Sequence, residues 1–83
     1  MIATKENTKI FLATTGELVI TGDLYNLVIS PVEYIGYTVD IYTDNEFTIY
    51  SVYLHLNSNT ITIDVDEILL EDIKNITKRI LEI

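Results

Sequence analysis

The hydrophobic residues of this 83-residue chain change their spacing near residue 66. Before that point, apolar and polar side chains alternate in six short segments rich in Ile, Val, Leu, Tyr and Thr, which is typical of strands with one buried face. After it, apolar residues recur at steps of three and four, which indicates an amphipathic helix. The sequence therefore predicts a mainly β, α+β fold, with about six antiparallel strands and a C-terminal helix packed on them.

Turn-forming residues between the segments set the expected boundaries. We expect strands over residues 8–14, 17–22, 24–30, 35–43, 46–56 and 60–65 and a helix over 66–82, all in a single domain spanning 1–83. Pro31 separates two meanders of three strands, because proline cannot donate to a strand ladder. The meanders form either one twisted sheet covered by the helix or a small barrel closed by it, and the barrel is favoured.

Two local patterns bear on this choice. The hairpin around Thr15-Gly16-Glu17 and the run from Ile63 to Ile68 resemble those of small SH3-like or Sm-like barrels, a pattern common to many unrelated β-domains. The resemblance implies a closed barrel.

The loops of the first meander predict its register. Gly16 suits the left-handed position of a three-residue loop, which pairs Leu12 with Leu18. A two-residue turn at residues 22–23 then places Leu27 opposite Leu18.

The second meander is expected to turn at residues 44–45, which pairs Val39 with Tyr50. A loop with an even number of residues after Leu56 is expected to bring the last strand onto the same inner face. That inner face then comprises Ile35, Tyr37, Val39, Ile41, Tyr50, Val52, Leu54, Leu56, Ile61, Ile63 and Val65.

The helix is expected to begin after Asp66, a residue type that commonly caps helix N-termini. Acidic residues crowd its first half and basic residues its second, which complements the helix dipole. Its apolar stripe is expected to comprise Leu69, Ile73, Ile76, Ile80 and Ile83.

The charge distribution is one-sided. The net charge is −8, and residues 10–73 contain no Lys or Arg. Nucleic-acid binding relies on Lys and Arg to neutralise phosphates, and anionic membranes attract the same residues. We therefore expect neither a direct nucleic-acid reader nor a membrane-surface protein. The chain also has no cysteine, no signal-like N-terminus and no long apolar run, so a cytoplasmic location is expected, in the host cytoplasm if a phage encodes it.

The residues that could carry chemistry are isolated. His55 is the only histidine, and no neighbour at suitable spacing completes a catalytic group, so no enzymatic activity is expected. The acids around Asp64–Glu67 and around Asp44–Glu46 lack the spacing of a calcium loop and are accounted for by helix capping and turn formation. No metal or other cofactor is expected.

The outer face of the fourth and fifth strands is unusually apolar and aromatic. We expect Tyr42 to lie across from Phe47 and Asp40 across from Ile49. Tyr-rich apolar patches resemble protein interfaces, although closure into a barrel would convert this one into core. The residues expected to bind a partner are Asp40, Tyr42, Asp44, Glu46, Phe47, Ile49 and Tyr53.

Charge and patch together favour a non-catalytic binding protein that docks on a basic surface of a nucleic-acid-handling protein. In size and charge the chain resembles small acidic proteins of phages and mobile elements that block host nucleases or repair enzymes, and a nucleic-acid mimic is one form of this hypothesis. The alternative is a self-associating structural module or homodimer, in which the patch pairs with a second copy. A small-molecule-binding barrel is disfavoured because so short a chain has little room for an internal pocket.

Overall fold

A computed structural model describes residues 2–82 and shows the predicted sequence of elements. The six strands are β1 (Thr8–Leu12), β2 (Leu18–Gly22), β3 (Asn26–Ile29), β4 (Tyr34–Asp44), β5 (Phe47–Leu56) and β6 (Thr60–Val65), and the helix is α1 (Glu67–Leu81). The mainly β, α+β fold is thus confirmed, and each element ends within two residues of its expected bounds.

The strands form two separate antiparallel sheets, one in the order β1-β2-β3 and one in the order β4-β5-β6. The favoured barrel and the closure implied by the SH3-like and Sm-like resemblance are therefore wrong, and so is the alternative of one continuous twisted sheet. After Ser30-Pro31 the chain makes a tight turn, in which Glu33 and Tyr34 donate backbone hydrogen bonds to the Ser30 carbonyl at 3.0 and 3.1 Å. β3 and β4 consequently do not pair, and each meander keeps its own sheet.

The two sheets and the helix nevertheless share one hydrophobic core. The first sheet contributes side chains from all three strands, and the second contributes mainly from β5 and β6. The fully buried side chains at its centre are Leu18, Ile20, Val52, Leu54, Ile63, Val65, Leu69 and Ile73.

The first hairpin has the expected register. Leu12 lies opposite Leu18, and Gly16 closes the three-residue loop with a positive φ of 99°. Because a side chain is strained at such an angle, glycine is the residue that suits this position.

The second hairpin differs from the expected register by two residues. Leu27 lies opposite Ile20, because β2 continues through Gly22, which pairs with Thr8. The wider loop is closed by Asn26, whose side-chain amide donates to the Gly22 carbonyl at 3.2 Å and whose side-chain oxygen accepts from Thr21 at 3.0 Å. A two-residue shift preserves the alternation, so the same side chains still face the core.

A two-residue shift also occurs between β4 and β5. The turn lies at residues 45–46 rather than 44–45, so Val39 faces Val52. Asn45 takes the left-handed conformation, with φ of 58°, which asparagine tolerates better than most residues. The even loop after Leu56 is confirmed, and Ile61 lies opposite Leu54.

Two expected members of the inner face are exposed. A bulge near the start of β4 turns Ile35 outward and places Tyr34 in the core instead, where its hydroxyl is hydrogen-bonded to Thr77 at 2.8 Å. Ile41 keeps its place in the alternation but is 67% exposed. It lies near the tip of the hairpin, where none of residues 40–48 is buried.

α1 begins as expected, with the Asp66 carboxylate accepting a hydrogen bond from the Leu69 backbone at 3.0 Å. The predicted stripe faces the core from Leu69 to Ile80, and Ile83 lies outside the described residues. No helix within residues 2–82 has the length and apolar character needed to cross a membrane.

Candidate protein-binding surface

The β4–β5 hairpin ends in a segment that the rest of the protein leaves uncovered. All nine residues from 40 to 48 are exposed, and we call this segment the hairpin end. The molecule is elongated, with principal extents of 39 × 22 × 21 Å. Since long antiparallel strands hold their tip through backbone hydrogen bonds, the hairpin end keeps a defined shape without burying its side chains.

The hairpin end is acidic. Asp40, Asp44 and Glu46 are exposed, and the segment contains no basic residue. Within residues 2–82 the ion pair that forms lies elsewhere, between Lys74 and Glu71 of α1 at 3.2 Å. The carboxylates of the hairpin end therefore have no cationic side chain of the described protein to neutralise them.

Two aromatic side chains project from the same segment. Phe47 is 70% exposed and Tyr42 is 44% exposed, on the outer face of the second sheet. Tyr42 lies opposite Ile49 and Phe47 opposite Asp44, two residues away from the pairing expected from the sequence. Tyr42 and Phe47 thus share the outer face with Asp40 and Asp44, as expected. Because the sheets do not close into a barrel, neither aromatic side chain becomes part of the core.

Ile49 was expected to be an exposed contact residue and is only 8% exposed. The chain before β1 accounts for this, because Ala3 pairs in parallel with Val65 at the edge of β6. A shallow groove beside Ile49 results, lined by Ile2, Thr4, Asp44, Asn45, Phe47 and Ile49. Ile49 therefore lies at the bottom of the groove and does not project as a contact residue.

Ile2 and Thr4 are the residues that sequence reasoning missed. They line the groove only because Ala3 exchanges backbone hydrogen bonds with β6: its N–H donates to the Asp64 carbonyl at 2.9 Å, and its carbonyl accepts from Asp66 at 3.1 Å. This contact joins the start of the described chain to the end of β6, far away in sequence, and an isolated pairing of that kind has no local signal in the sequence.

Next to the hairpin end, Tyr53 donates a hydrogen bond to the Asp40 carboxylate at 2.9 Å. This bond, together with the negative charge of Asp40, raises the pKa of the Tyr53 phenol above its ordinary value. The bond also orients Asp40, so one carboxylate of the surface is held in position rather than freely mobile.

His55 lies further along the same face, between two threonines of the flanking strands. Its Nε2 lies 2.9 Å from the Thr38 hydroxyl and its Nδ1 lies 3.2 Å from the Thr60 hydroxyl. Both ring nitrogens are therefore used in a cross-strand network, which gives the histidine a structural role.

In the described part of the chain, no three His, Asp or Glu side chains converge as a ligand set for a metal ion. Asp66 caps α1, and Asp64 accepts a hydrogen bond from Ser51 at 2.6 Å. These carboxylates therefore already have partners within the fold.

Comparisons with family models, with curated proteins and with solved structures find no match to this chain. The structural class of the chain is therefore described from its own fold, a small α+β fold of two three-stranded antiparallel sheets and one helix.

Proposed function

We propose that this chain is a non-catalytic binding protein that uses the hairpin end to dock on a basic surface of a protein partner. The observation that carries the proposal is the composition of the exposed segment from residue 40 to residue 48, which holds three acids, two aromatic side chains and no base. The partner that suits this surface best is a nucleic-acid-handling protein, because such proteins present basic grooves to phosphates.

The electrostatic part of the proposal concerns the rate of encounter. The chain carries a net charge of −8, and its bases lie outside residues 10–73. An uncompensated acidic segment attracts a basic surface over about a Debye length, roughly 8 to 10 Å in ordinary buffers. Complementary charge of this kind raises association rates more than it lowers dissociation rates, so added salt is expected to slow binding.

The aromatic part of the proposal concerns how long the complex lasts. Phe47 is 70% exposed beside the groove floored by Ile49, and Tyr42 projects from the neighbouring strand. Large aromatic side chains are enriched among the residues that dominate interface energies, because they bury a large area at low entropic cost. Phe47 is the strongest such anchor on this surface.

A protein with these properties would act as an inhibitor or modulator, by occupying the groove that nucleic acid would otherwise fill. The exposed carboxylates would then take the place of phosphates, which makes the chain a nucleic-acid mimic. Small acidic proteins of phages and mobile elements that block host nucleases or repair enzymes provide the biological setting, and the host cytoplasm is the corresponding location.

Affinity capture with two charge-matched variants tests the proposal. The hairpin variant neutralises the acids of the surface: Asp40→Asn, Asp44→Asn and Glu46→Gln. The control variant neutralises three exposed acids elsewhere: Glu6→Gln, Asp23→Asn and Glu82→Gln. Each brings the net charge from −8 to −5, so only the position of the lost charge differs.

Wild-type protein and the control variant should capture the same basic nucleic-acid-handling protein from a host lysate at low salt, and the hairpin variant should not. Added double-stranded DNA should release the captured protein, because both compete for one groove. Equal capture by the two variants, or a complex unaffected by salt and DNA, would contradict the proposal.

A further inference from the structure

β4 is the outermost strand of the second sheet and its far edge is unpaired. β4 has a single neighbour, β5, and the Tyr34 N–H is bound by the Ser30 carbonyl, but from Tyr37 to Asp44 the β4 backbone makes no hydrogen bond to another described backbone group on the far side. The edge is regular from Tyr37 to Asp44, beyond the bulge at Ile35. A strand of eleven residues with one open side is long for an edge strand.

The ladder determines which backbone groups are free. The Asp64 N–H donates to the Tyr25 hydroxyl and its carbonyl accepts from Ala3, so the polar groups of Asp64 point away from β5. Opposite residues in antiparallel sheets alternate between hydrogen-bonded and non-hydrogen-bonded pairs. The groups of Ser51, which lies opposite Asp64, therefore point toward β4 and pair with Asp40.

By the same alternation, the even-numbered residues of β4 bond β5, while Val39, Ile41 and Thr43 present their N–H and carbonyl groups to solvent.

The other sheet edges are short or covered. β1 has five residues and includes Lys9, and β3 has four residues. β6 has six residues, and on its edge the N–H and carbonyl of Asp64 are occupied by the hydroxyl of Tyr25 and by Ala3. Natural proteins usually protect long edges with lysine, proline or a bulge; the bulge of β4 is confined to its start, and the regular part from Tyr37 to Asp44 has no lysine or proline. Its open edge is thus the exception in this fold.

We infer that β4 accepts an extended segment of the basic partner as a fourth strand of the second sheet. This inference rests on the proposed function and specifies how the partner is held. Backbone hydrogen bonds to Val39, Ile41 and Thr43 supply the pairing, as in other cases where a peptide adds a strand to a sheet edge. The segment runs alongside the acidic hairpin end, where its bases are neutralised.

The two faces of β4 dictate the sequence of the added strand. On the outer face, the side chains of the added strand lie beside Asp40, Tyr42 and Asp44, which favours Lys or Arg. On the inner face they lie beside Val39 and the exposed side chain of Ile41, which favours Val, Ile or Leu. The preferred segment therefore alternates basic and apolar residues.

Charge selects a foreign segment over a second copy of this chain. Pairing two β4 edges would bring Asp40 and Asp44 of both copies onto one face, between chains that each carry a net charge of −8. Like charges at neighbouring positions across a sheet destabilise pairing, whereas Lys or Arg at those positions stabilises it.

Amide hydrogen exchange read by NMR tests the inference directly. The probe is a blocked peptide of alternating Lys and Val, about as long as residues 38–44. The control peptide has the same composition with its lysines and valines in separate blocks. The alternating peptide at saturation should slow exchange of the Val39, Ile41 and Thr43 amides by about tenfold or more, and the block peptide should leave them unchanged.

Two variants separate the backbone from the side chain. Ile41→Pro removes one free N–H without touching the bonds to β5, and should weaken binding of the alternating peptide by about tenfold or more. Ile41→Thr keeps that N–H and should weaken binding less. If Ile41→Pro alters the fold, the exchange pattern of the wild-type protein decides the question.

Three outcomes would overturn the inference. Peptide binding that perturbs Tyr42 and Phe47 without protecting the three amides would leave the proposed function standing and remove the strand addition. Protection that appears without peptide, as protein concentration rises, would identify a second copy as the occupant. If neither peptide binds and the lysate capture also fails, the proposed function falls together with the inference.

Discussion

The hydroxyl of Tyr25 accepts a hydrogen bond from the backbone N–H of Asp64 at 2.9 Å, and this contact ties the loop before β3 to the edge of β6. The two sheets share no strand pairing, so bonds of this kind supplement the common core in holding them together. The same bond satisfies an N–H that would otherwise lie open at the sheet edge.

Tyr25→Phe should therefore destabilise the protein. The substitution retains the ring but removes the acceptor of the Asp64 N–H, and we expect a loss of about 1 kcal/mol in the free energy of unfolding. Tyr42→Phe is the matched control, because the Tyr42 hydroxyl has no hydrogen-bond partner among the described residues, and it should change stability by less than about 0.5 kcal/mol. Urea unfolding measures both, and equal stabilities of the two variants would contradict the assigned role of Tyr25.

The buried hydrogen bond between Tyr34 and Thr77, 2.8 Å long, should appear as a coupling in a double-mutant cycle. Tyr34→Phe and Thr77→Val each remove one partner and leave the other polar group unsatisfied. We expect the double variant to be more stable than the sum of the single losses predicts, by about 1 kcal/mol. Additive losses in urea unfolding would show that the two hydroxyls do not interact.

Gly22→Ala should be strongly destabilising. A Cβ atom at Gly22 would lie 2.1 Å from the Asn7 carbonyl oxygen and 2.8 Å from the Thr8 Cα, both of them backbone atoms that move only if β1 moves. We expect a loss of more than about 2 kcal/mol.

The control for this prediction is Gly36→Ala. There the added Cβ has space, since the nearest atom belongs to the Leu81 side chain at 3.8 Å, and the loss of stability comes from the positive φ of 148° alone. That loss is about 1 to 2 kcal/mol. Thermal unfolding should rank Gly22→Ala as the less stable variant, and the reverse order would refute the close approach of β1 and β2.

Stability should fall at alkaline pH, partly through Tyr53. The bond to Asp40 raises the pKa of Tyr53 in the folded protein, so the folded state holds the phenol proton more tightly than the unfolded state. The resulting stabilisation is complete below the ordinary tyrosine pKa of about 10 and is lost as pH rises through the raised folded value. Tyr53→Phe should therefore lose less stability than wild type as the pH rises above about 10.

An NMR titration of the Tyr53 ring provides the direct check. Asp40→Asn should return the pKa of Tyr53 toward its ordinary value, because it removes the nearby negative charge. A titration of Tyr53 that is identical in wild type and Asp40→Asn would contradict this account.

The alternation of side chains was readable from the sequence even where the turns were misplaced. Both register errors, at the loop before β3 and at the turn after β4, were shifts of two residues. Because strand side chains repeat every two residues, such a shift changes the cross-strand neighbours and leaves the faces unchanged. For the same reason, Asp40, Tyr42 and Phe47 share the outer face as expected.

The bulge at the start of β4 could not be read in this way. It exchanged Ile35 for Tyr34 on the inner face, because one extra residue reverses the alternation locally. Nothing in the local sequence separates the two, since Tyr34 and Ile35 are both suited to a buried strand position.

The amino-acid sequence by itself determined the order and type of the elements, the faces of the strands, the cap of α1 at Asp66 and the acidic character of the hairpin. These depend on residues close in sequence, where spacing and turn chemistry act. Only the tertiary structure decided that the sheets stay separate, that the segment around Ala3 covers Ile49, and that Ile41 and the edge of β4 remain open. Which faces and edges are covered depends on how segments distant in sequence pack together. The spacing of apolar residues along one segment does not determine that packing.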